Sequence, residues 1–365
     1  MTQIKRFVTK NAVPILFAVV CILGIYYAEM PAQFLLMEVV TRLARNSFTV
    51  LSLIIPVVAG MGLNFGIVLG ALAGQIALIL STHWEWAGLG GLLLTALLST
   101  PMAVLFGYLA GLILNKAKGR EMITSMVMGF FANGVYQFVF LFLVGTVIPF
   151  ENERLRISTS PGLRNTIELR YVKGALDKVW QVRYGFTNIP IVTFGVIGLL
   201  CLFLTFFFRT KVGQDLRAVG QDRQTAGVAG IKTEKIRVLA IVLSTVLAAW
   251  GQIIFLQNIG TLNTYNSHEQ VGTFAIAALL IGGATVSKAT ITQALTGTLL
   301  FHVLFVVSPM AGQSLFGSAQ IGEYFRVFVA YGIIAISLAL HAWQSRSLAH
   351  SRFVEEAKNG EKVSV

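Results

Sequence analysis

The sequence predicts an all-α polytopic membrane protein with about ten transmembrane helices. Of its 365 residues, 55% are hydrophobic and 12% are charged, and the mean hydropathy is +0.74. A soluble domain contains about 25% charged residues. The apolar residues also form runs long enough to cross a bilayer. We therefore expect lipid to surround most of the chain.

The first run, at about 13–27, follows a basic start and could be a signal peptide or a membrane helix. No small-residue cleavage site follows it, so it is predicted to be retained as a membrane helix. Residues 31–47 place apolar side chains at helical spacing against Glu38, Arg42 and Arg45, which predicts a short amphipathic helix on the membrane surface. The other predicted spans lie at about 48–62, 64–82, 86–114, 122–146, 189–208, 237–257, 271–286, 290–308 and 322–343.

The distribution of Lys and Arg predicts the orientation of these spans. Cytoplasmic loops of membrane proteins carry an excess of both residues, and this chain fits that rule best with both termini in the cytoplasm. The prediction divides the chain into a transmembrane domain at 1–343 and a cytoplasmic tail at 344–365. It places a small folded loop at 147–188 outside and the segment 209–237 inside. The excess of basic residues at 147–188 is the main observation against this orientation.

The net charge of +12 does not indicate a nucleic-acid-binding protein, because the basic residues lie between apolar runs and form no stripe. Cys21 and Cys201 lie within apolar runs and are predicted to be free thiols. No metal site is predicted.

Two segments are unusually rich in glycine. Residues 60–74 contain five glycines, namely Gly60, Gly62, Gly66, Gly70 and Gly74, and 271–297 contains Gly272, Gly282, Gly283 and Gly297. Glycine at this density indicates either close helix packing or membrane helices that are broken where their backbone lines a cavity. With one segment in each half of the chain, broken helices beside a site between the halves are expected.

The acidic residues lie in loops, in the predicted surface helix or at span ends. Ion-coupled carriers commonly hold a carboxylate at mid-membrane, so this distribution argues against them without excluding them. No HExxH or GxSxG motif indicates an enzyme, and His302 and His341 are lone residues that we interpret as packing residues. The run GVAGIKT at 227–233 lacks the adjacent Gly-Lys of a phosphate loop, so no nucleotide or other cofactor is expected on this chain.

Uncharged amides do enter the apolar runs. Amides bind hydroxyls and carbonyls without a charge to desolvate, which suits a path for a neutral polar solute, although hydrogen bonding between helices is the alternative for each of them. The candidate path residues are Asn64, Phe65, Gln75, Asn133, Gln137, Gln252 and Asn258.

Segment 209–237 carries the most specific pattern in the chain. It predicts a short helix from Asp215 to about Val219 that stops at Gly220, then a second helix near Arg223–Val228 that ends at Gly230. A compact helix pair of this kind is typical of a docking element for a separate motor protein.

The run from Gly213 to Gly220 (GQDLRAVG) and the later Ala229-Gly230-Ile231 resemble the cytoplasmic coupling loop of ABC importer permeases of the branched-chain amino acid, ribose and nucleoside type. The segments Gly62 to Gly74 and Ile276 to Gly297 resemble that family's glycine-rich segments, so the similarity covers roughly residues 12–343. Sugar-type members usually carry an acidic residue where this chain has Leu63-Asn64-Phe65. The resemblance therefore does not identify the transported solute. It implies coupling roles for Gly213, Asp215, Arg217, Ala218, Gly220, Ala226, Gly230 and Ile231.

The resemblance also implies the partners. Two permease subunits, identical or homologous, would form the pore in a bacterial inner membrane. Two cytosolic ATPases would bind Mg-ATP and contact the 213–231 segments, and an external binding protein would deliver a simple sugar or a nucleoside. An ion-coupled transporter or channel remains the alternative, with a membrane enzyme as a third hypothesis.

Overall fold

The computed structural model describes residues 11–117, 119–149, 152, 155–157, 162–336 and 338–339. The predicted tail at 344–365 and His341 lie outside the described residues. The helices are α1 (Ala12–Ala28), α2 (Ala32–Ser52), α3 (Ile54–Val58), α4 (Ile67–His83), α5 (Gly88–Lys116), α6 (Glu121–Phe138), α7 (Ile191–Phe207), α8 (Lys211–Gln221), α9 (Arg223–Val228), α10 (Thr233–Ile259), α11 (Glu269–Ile281), α12 (Ile291–Phe316) and α13 (Ala319–Ile336).

The predicted number of ten spans is not confirmed. Within the described residues, five helices are long and apolar enough to cross a membrane: α5, α6 with its π-helical extension Val139–Leu143, α10, α12 and α13. The bent pair of α7 and α8 raises the number to six. The apolar helices α1 and α4 have 17 residues each and α11 has 13. At 1.5 Å per residue, they fall short of the roughly 30 Å hydrocarbon layer.

The predicted surface helix at 31–47 and the predicted span at 48–62 were wrong. The first belongs almost wholly to α2, which runs to Ser52, and the second is divided between the end of α2, the short helix α3 and the break after it. Every residue of α2 from Ser47 onward is buried. The helix packs against α10 and α12, so protein covers much of its apolar stripe, whereas Phe34 near its start is 43% exposed.

Glycines bring α4 and α5 into close contact with α10. A methyl group at Gly70 would lie 2.3 Å from the carbonyl oxygen of Thr245, and one at Gly74 would lie 2.5 Å from that of Ala249. On α5, a methyl group at Gly107 would lie 2.9 Å from the Cα of Val242. These are the close helix contacts that small residues permit in membranes.

Other glycines break the chain direction, as the second interpretation of the glycine-rich segments predicts. Gly60 and Gly62, between α3 and α4, have φ of 70° and 71°, and Gly283, between α11 and α12, has φ of 85°. Only glycine adopts such values without strain. The two breaks meet, because a methyl group at Gly62 would lie 3.3 Å from a methyl carbon of Val286.

The described residues of the segment 147–188, which was predicted as a small folded loop, pack against the end of the bundle. Strand β1 (Thr166–Glu168) pairs antiparallel with β4 (Thr261–Asn263), and β2 (Gln181–Tyr184) forms a hairpin with β3 (Thr187–Pro190). We call the described residues between 162 and 190 the cap. Because α7 leads from the cap to α8 and α10 leads from α9 back to β4, the cap and the α8–α9 pair lie at opposite ends of the bundle.

Candidate functional site

The α8–α9 pair forms a compact element at one end of the bundle. Helix α8 turns by 75° from the axis of α7 and buries Gly213, Leu216 and Val219 on one face. Asp222 caps α9, since its carboxylate oxygen accepts hydrogen bonds from the backbone nitrogens of Gln224 and Thr225 at 2.8 and 3.2 Å. We refer to α8 and α9 together as the coupling element.

Two glycines let α8 contact its surroundings through backbone. A methyl group at Gly213 would lie 2.1 Å from the carbonyl oxygen of Phe207, and one at Gly220 would lie 2.0 Å from that of Val58. The helix was predicted to stop at Gly220. Instead, Gly220 lies in the last turn of α8, which ends at Gln221. Its small size therefore serves close packing against the end of α3 rather than a turn.

The remaining predicted coupling residues lie within the same element. The guanidinium carbon of Arg217 lies 5.2 Å from the ring centre of Phe208, and Asp215 and Ala218 are half-buried on α8. Ala226 is buried, and its carbonyl accepts a hydrogen bond from Ile231 at 3.1 Å. Gly230 has φ of 85° and ends this turn, as predicted.

Helix α9 presents most of its surface to solvent. Gln224, Thr225, Gly227 and Val228 are all exposed, and Val228 retains 87% of its accessible surface. An apolar side chain this exposed in water is available for contact with another protein.

A buried ion pair fixes the base of the coupling element. Arg237, near the start of α10, donates a hydrogen bond to the carboxylate of Glu121 at the start of α6. The side chain of Arg237 is 3% exposed and that of Glu121 is 13% exposed. The pair links the helix that leaves the coupling element to α6.

The seven candidate path residues do not form one site. Gln75, Asn133 and Gln137 come together in a hydrogen-bond network, and the other four lie in three separate places. Asn64 and Phe65 are at the break before α4, where the Phe65 nitrogen donates to the hydroxyl of Ser125 at 3.2 Å. The remaining two are Gln252 and Asn258.

The network joins α4, α6 and the start of α11. Gln75 donates to the Tyr136 hydroxyl at 2.8 Å and to the Thr264 carbonyl at 2.6 Å. Gln137 donates to the Asn133 oxygen at 3.3 Å, and Asn133 donates to the carboxylate of Glu269. These amides therefore connect the buried side of α4 to the exposed Glu269.

Sequence reasoning missed His268, which lies at the centre of the network. Its Nε2 lies 2.8 Å from the Asn133 oxygen, and its Nδ1 lies 3.3 Å from the Gln75 oxygen. A neutral imidazole donates only one hydrogen bond, so its tautomer decides which of the two amide oxygens receives it. Burial lowers the pKa of His268 to about 4, and burial likewise raises the pKa of Tyr265 in the same loop. The polar run NSHEQ at 266–270, where α11 begins, is the sequence signal that marked this position.

Helix α6 carries the network to a broad uncovered face. Phe130 and Phe131 are 67% and 72% exposed, and the adjacent Asn133 and Gln137 are half-buried. The face therefore combines aromatic rings with amides, which is a surface suited to lipid, to another subunit or to a polar solute.

Asn258 lies apart from the network, beside the cap. Its amide donates to the buried carboxylate of Asp177 at 2.7 Å, together with Gln257 at 3.0 Å and the hydroxyl of Thr193. Asp177 is 7% exposed. Hence Asn258 anchors the cap to α7 and α10.

Gln252 lines a separate cavity of about 270 Å³ between α2, α10, α11 and α12. Its amide nitrogen donates to the Ser267 carbonyl at 3.2 Å. His302 lines the same cavity, and both side chains are buried.

The family described as "Branched-chain amino acid transport system / permease component" matches residues 35–338 of the chain. The chain belongs to this family. The permease is accordingly a multi-pass membrane component of a transport system and not an enzyme.

Individual relatives are similar over shorter stretches. The permease is 29% identical to a probable ABC transporter permease protein of Escherichia coli, over 42% of this chain and 44% of that protein. It is 23% identical to a fructose import permease protein of Bifidobacterium longum over 51% and 50%, and 26% identical to a nucleoside ABC transporter permease protein of Lactococcus lactis over 48% and 58%. The matches thus span about half the length of these relatives. No solved structure matches the permease.

Proposed function

We propose that the permease forms half of the pore of an ATP-driven importer in a bacterial inner membrane. One observation carries this proposal. The chain belongs to a transport-permease family, and its helices α8 and α9 form the coupling element at one end of the bundle. The element is braced on the bundle by Gly213, Gly220 and Arg217, and it exposes α9. This arrangement suits a lever that a cytosolic ATPase moves.

The bracing gives the mechanism. Because backbone meets backbone at Gly220, α8 and the break between α3 and α4 move together when a partner displaces α9. The neighbouring break before α12 contacts the same region through Val286 and Gly62. Displacement of the coupling element would therefore change the packing of α4, α6 and α12 and switch the access of the path between the two sides.

The solute is proposed to be small, neutral and polar, a simple sugar or a nucleoside. Asn133 and Gln137 place half-buried amides beside the uncovered face of α6, and amides recognise hydroxyls without needing an opposite charge. Relatives include permeases named for fructose and for nucleosides, and also one named for branched-chain amino acids. A second permease subunit would cover part of the α6 face and an external binding protein would dock at the cap end, with Mg-ATP bound on the two ATPase subunits.

A co-purification experiment tests the coupling element. Val228→Glu places a charge on the exposed side of α9 without disturbing any buried contact, and it is expected to remove the ATPase from the purified complex. Tyr184→Glu, at a residue 68% exposed in the cap hairpin at the opposite end, is the matched control and should retain the ATPase. Retention of the ATPase by Val228→Glu, or its loss in both variants, would contradict the proposal.

An ion-coupled transporter or a channel is the alternative function. The exposed Glu269, which accepts a hydrogen bond from Asn133, is the observation that favours it, since it supplies a carboxylate beside the candidate path. Glu269→Gln should leave ATP-driven uptake of a neutral solute largely unchanged, whereas it should abolish uptake that is coupled to an ion through this carboxylate.

A further inference from the structure

Helices α5, α7 and α10 form a groove of about 790 Å³ at the side of the bundle. Leu97 of α5 and Leu199 of α7 line it and are 69% and 65% exposed, whereas the lining residues Leu92 and Leu200 are each 5% exposed. The groove is therefore open at its side and closed at its base. Ligand sites in proteins are concave and mostly apolar in this way.

The lining of the groove does not suit a polar solute. Among the described residues that line it, Thr100 and Trp250 alone carry polar side chains, and the indole nitrogen of Trp250 donates to the Thr100 hydroxyl at 3.1 Å. That hydroxyl donates in turn to the carbonyl of Ala96 at 2.8 Å. Because both donors are used, the lining has none left for the hydroxyl or carboxylate of a solute. Its ligand must be apolar where it contacts the groove.

The groove is as long as one leaflet of a bilayer. Its lining residues on α10 run from Leu243 to Ile254, which is about 16 Å at 1.5 Å per residue. Half of the roughly 30 Å hydrocarbon layer is about 15 Å. Leu243 lies about 15 Å from the start of α10 at Thr233, and Ile254 lies near its end at Ile259. The groove therefore occupies the cap-side half of the membrane.

Segment 170–178 of the cap closes the upper end of the groove. Its Tyr171 carbonyl accepts a hydrogen bond from the backbone of Gly88, where α5 begins, at 2.9 Å. Its Gly174 nitrogen donates to a carbonyl near the end of α10 at 2.8 Å, and Leu176 lines the groove itself. The segment thus lies across the cap-side ends of the helices that form the groove.

Every exposed charge on this segment is positive. Arg170, Lys173 and Lys178 are exposed, whereas its single acid, Asp177, is 7% exposed and accepts hydrogen bonds from α7 and α10. Three basic residues less one acid leave the segment a net charge of +2. Basic residues at a membrane surface attract anionic lipids. The end of the groove is therefore complementary to a phosphate group.

Trp180 marks the level of the bilayer surface. It is 62% exposed, and its carbonyl accepts a hydrogen bond at 3.0 Å from Ile191, where α7 begins. Tryptophan is enriched at the boundary between lipid and water, where its apolar ring and its polar N–H are both accommodated. Lys178, two positions earlier, consequently lies at the level of the phospholipid headgroups.

We propose that the groove between α5, α7 and α10 binds one anionic phospholipid of the cap-side leaflet. One acyl chain lies along the groove, and the phosphate contacts Lys178 and its basic neighbours. The lipid separates α5 from α7, the helix that leads into the coupling element. A second copy of the chain is a poorer occupant, because a transmembrane helix would follow the full thickness of the bilayer and the groove follows half of it.

Native mass spectrometry of the purified full-length chain tests the inference. The chain in mild detergent is supplied with equal amounts of phosphatidylglycerol, which is anionic, and phosphatidylcholine, which has no net charge, both with the same acyl chains. We expect one retained phospholipid per chain. Phosphatidylglycerol should be favoured at least about fivefold, because basic residues beside the headgroup strengthen binding of an anionic lipid.

A groove-filling variant tests the position of the acyl chain. Leu97→Trp should lower retention of phosphatidylglycerol at least about fivefold, because the indole and the acyl chain would occupy the same volume. Leu105→Trp is the matched control, since it changes a leucine of α5 that is 55% exposed and does not line the groove, and it should retain the lipid. Leu93→Trp, at another exposed lining residue, provides the same test if Leu97→Trp does not fold.

A charge reversal tests the position of the headgroup. Lys178→Glu should remove the preference for phosphatidylglycerol over phosphatidylcholine, because the phosphate would face a carboxylate. Lys211→Glu makes the same change at an exposed lysine at the opposite end of the bundle, and the preference should persist.

Equal retention of the two phospholipids by the wild-type chain would overturn the inference, and so would retention that neither Leu97→Trp nor Leu93→Trp lowers. Dissociation of a dimer by Leu97→Trp with the bound phospholipid unchanged would assign the groove to a second copy and would overturn it as well. The measurement requires neither ATPase nor solute, so its failure leaves the proposed ATP-driven uptake standing. Retention of the ATPase by Val228→Glu would likewise leave the lipid result standing.

Discussion

Gly220 of α8 lies against the carbonyl of Val58 so closely that a single methyl group would be 2.0 Å from that oxygen. The contact is reciprocal at the next residues, because a methyl group at Gly60 would lie 2.8 Å from the Gly220 Cα. The coupling element therefore rests on the break between α3 and α4 through backbone atoms, which have no rotamers to absorb a displacement.

Gly220→Ala should damage this contact. The added methyl group meets backbone, so α8 must shift, and such overpacking costs about 1–3 kcal/mol. We expect a lower thermal unfolding midpoint in detergent and weaker coupling of ATP hydrolysis to uptake. Gly227→Ala in α9 is the matched control, because the nearest atom to its new methyl group is 4.0 Å away. If both variants unfold at the wild-type temperature and transport normally, the contact does not matter.

The ion pair at the base of the coupling element should be costly to split. Arg237→Met leaves the carboxylate of Glu121 largely buried without its partner, and such losses cost about 3–5 kcal/mol. Combining Arg237→Met with Glu121→Gln removes both charges and should recover most of the free energy of unfolding. Denaturant titration of the two variants checks this, and equal destabilisation of both would contradict the expected charge effect.

Asn258→Leu and Asn133→Leu should differ in their effect on uptake. Asn258→Leu removes a donor to the buried Asp177 and should destabilise the chain by about 1–3 kcal/mol, with uptake retained wherever the variant is folded. Asn133→Leu loses its bond to the exposed Glu269 and its contact with the buried His268, so it should cost a similar free energy of unfolding, but it should also reduce uptake in the folded variant. Unfolding and uptake measurements on both variants decide the matter. Loss of uptake in a stable Asn258→Leu variant would return that residue to the path.

The stability of the chain should fall on acidification through His268. Its pKa is near 4 in the folded chain against 6.5 when exposed, so between these values the unfolded state binds more protons. The free energy of unfolding is therefore highest above pH 6.5, and protonation of His268 lowers it by about 3 kcal/mol as the pH drops to 4. His268→Gln should show a correspondingly smaller decline. A wild-type chain that becomes more stable than the variant at low pH would mean that the two amide oxygens hold a protonated ring.

Local signals in the sequence predicted the second helix of the coupling element to the residue. Helix α9 occupies Arg223–Val228 because Asp222 caps its start and Gly230 supplies the left-handed residue after its end, and both effects act within one turn. The same reasoning failed for 31–47, since an apolar stripe looks alike whether lipid or a neighbouring helix covers it. Burial of α2 against α10 and α12 depends on helices that begin at Thr233 and Ile291, far along the chain.

The candidate site was predictable only in part, for the same reason. Amides within apolar runs indicate polar contacts, yet the partner of each is set by helix packing. Gln75 and Asn133 share a network through His268, whereas Asn258 lies beside Asp177, and no spacing in the sequence distinguishes these cases. Gln252 faces a different cavity although it lies on the same helix as Asn258.

The most direct test of the account is solute uptake into vesicles that contain the permease together with its ATPase and binding protein. The account predicts that uptake of a neutral sugar or nucleoside requires ATP hydrolysis, persists when ion gradients are collapsed, and is lost in Val228→Glu. Uptake by the permease alone, without ATP and in proportion to an imposed ion gradient, would contradict it.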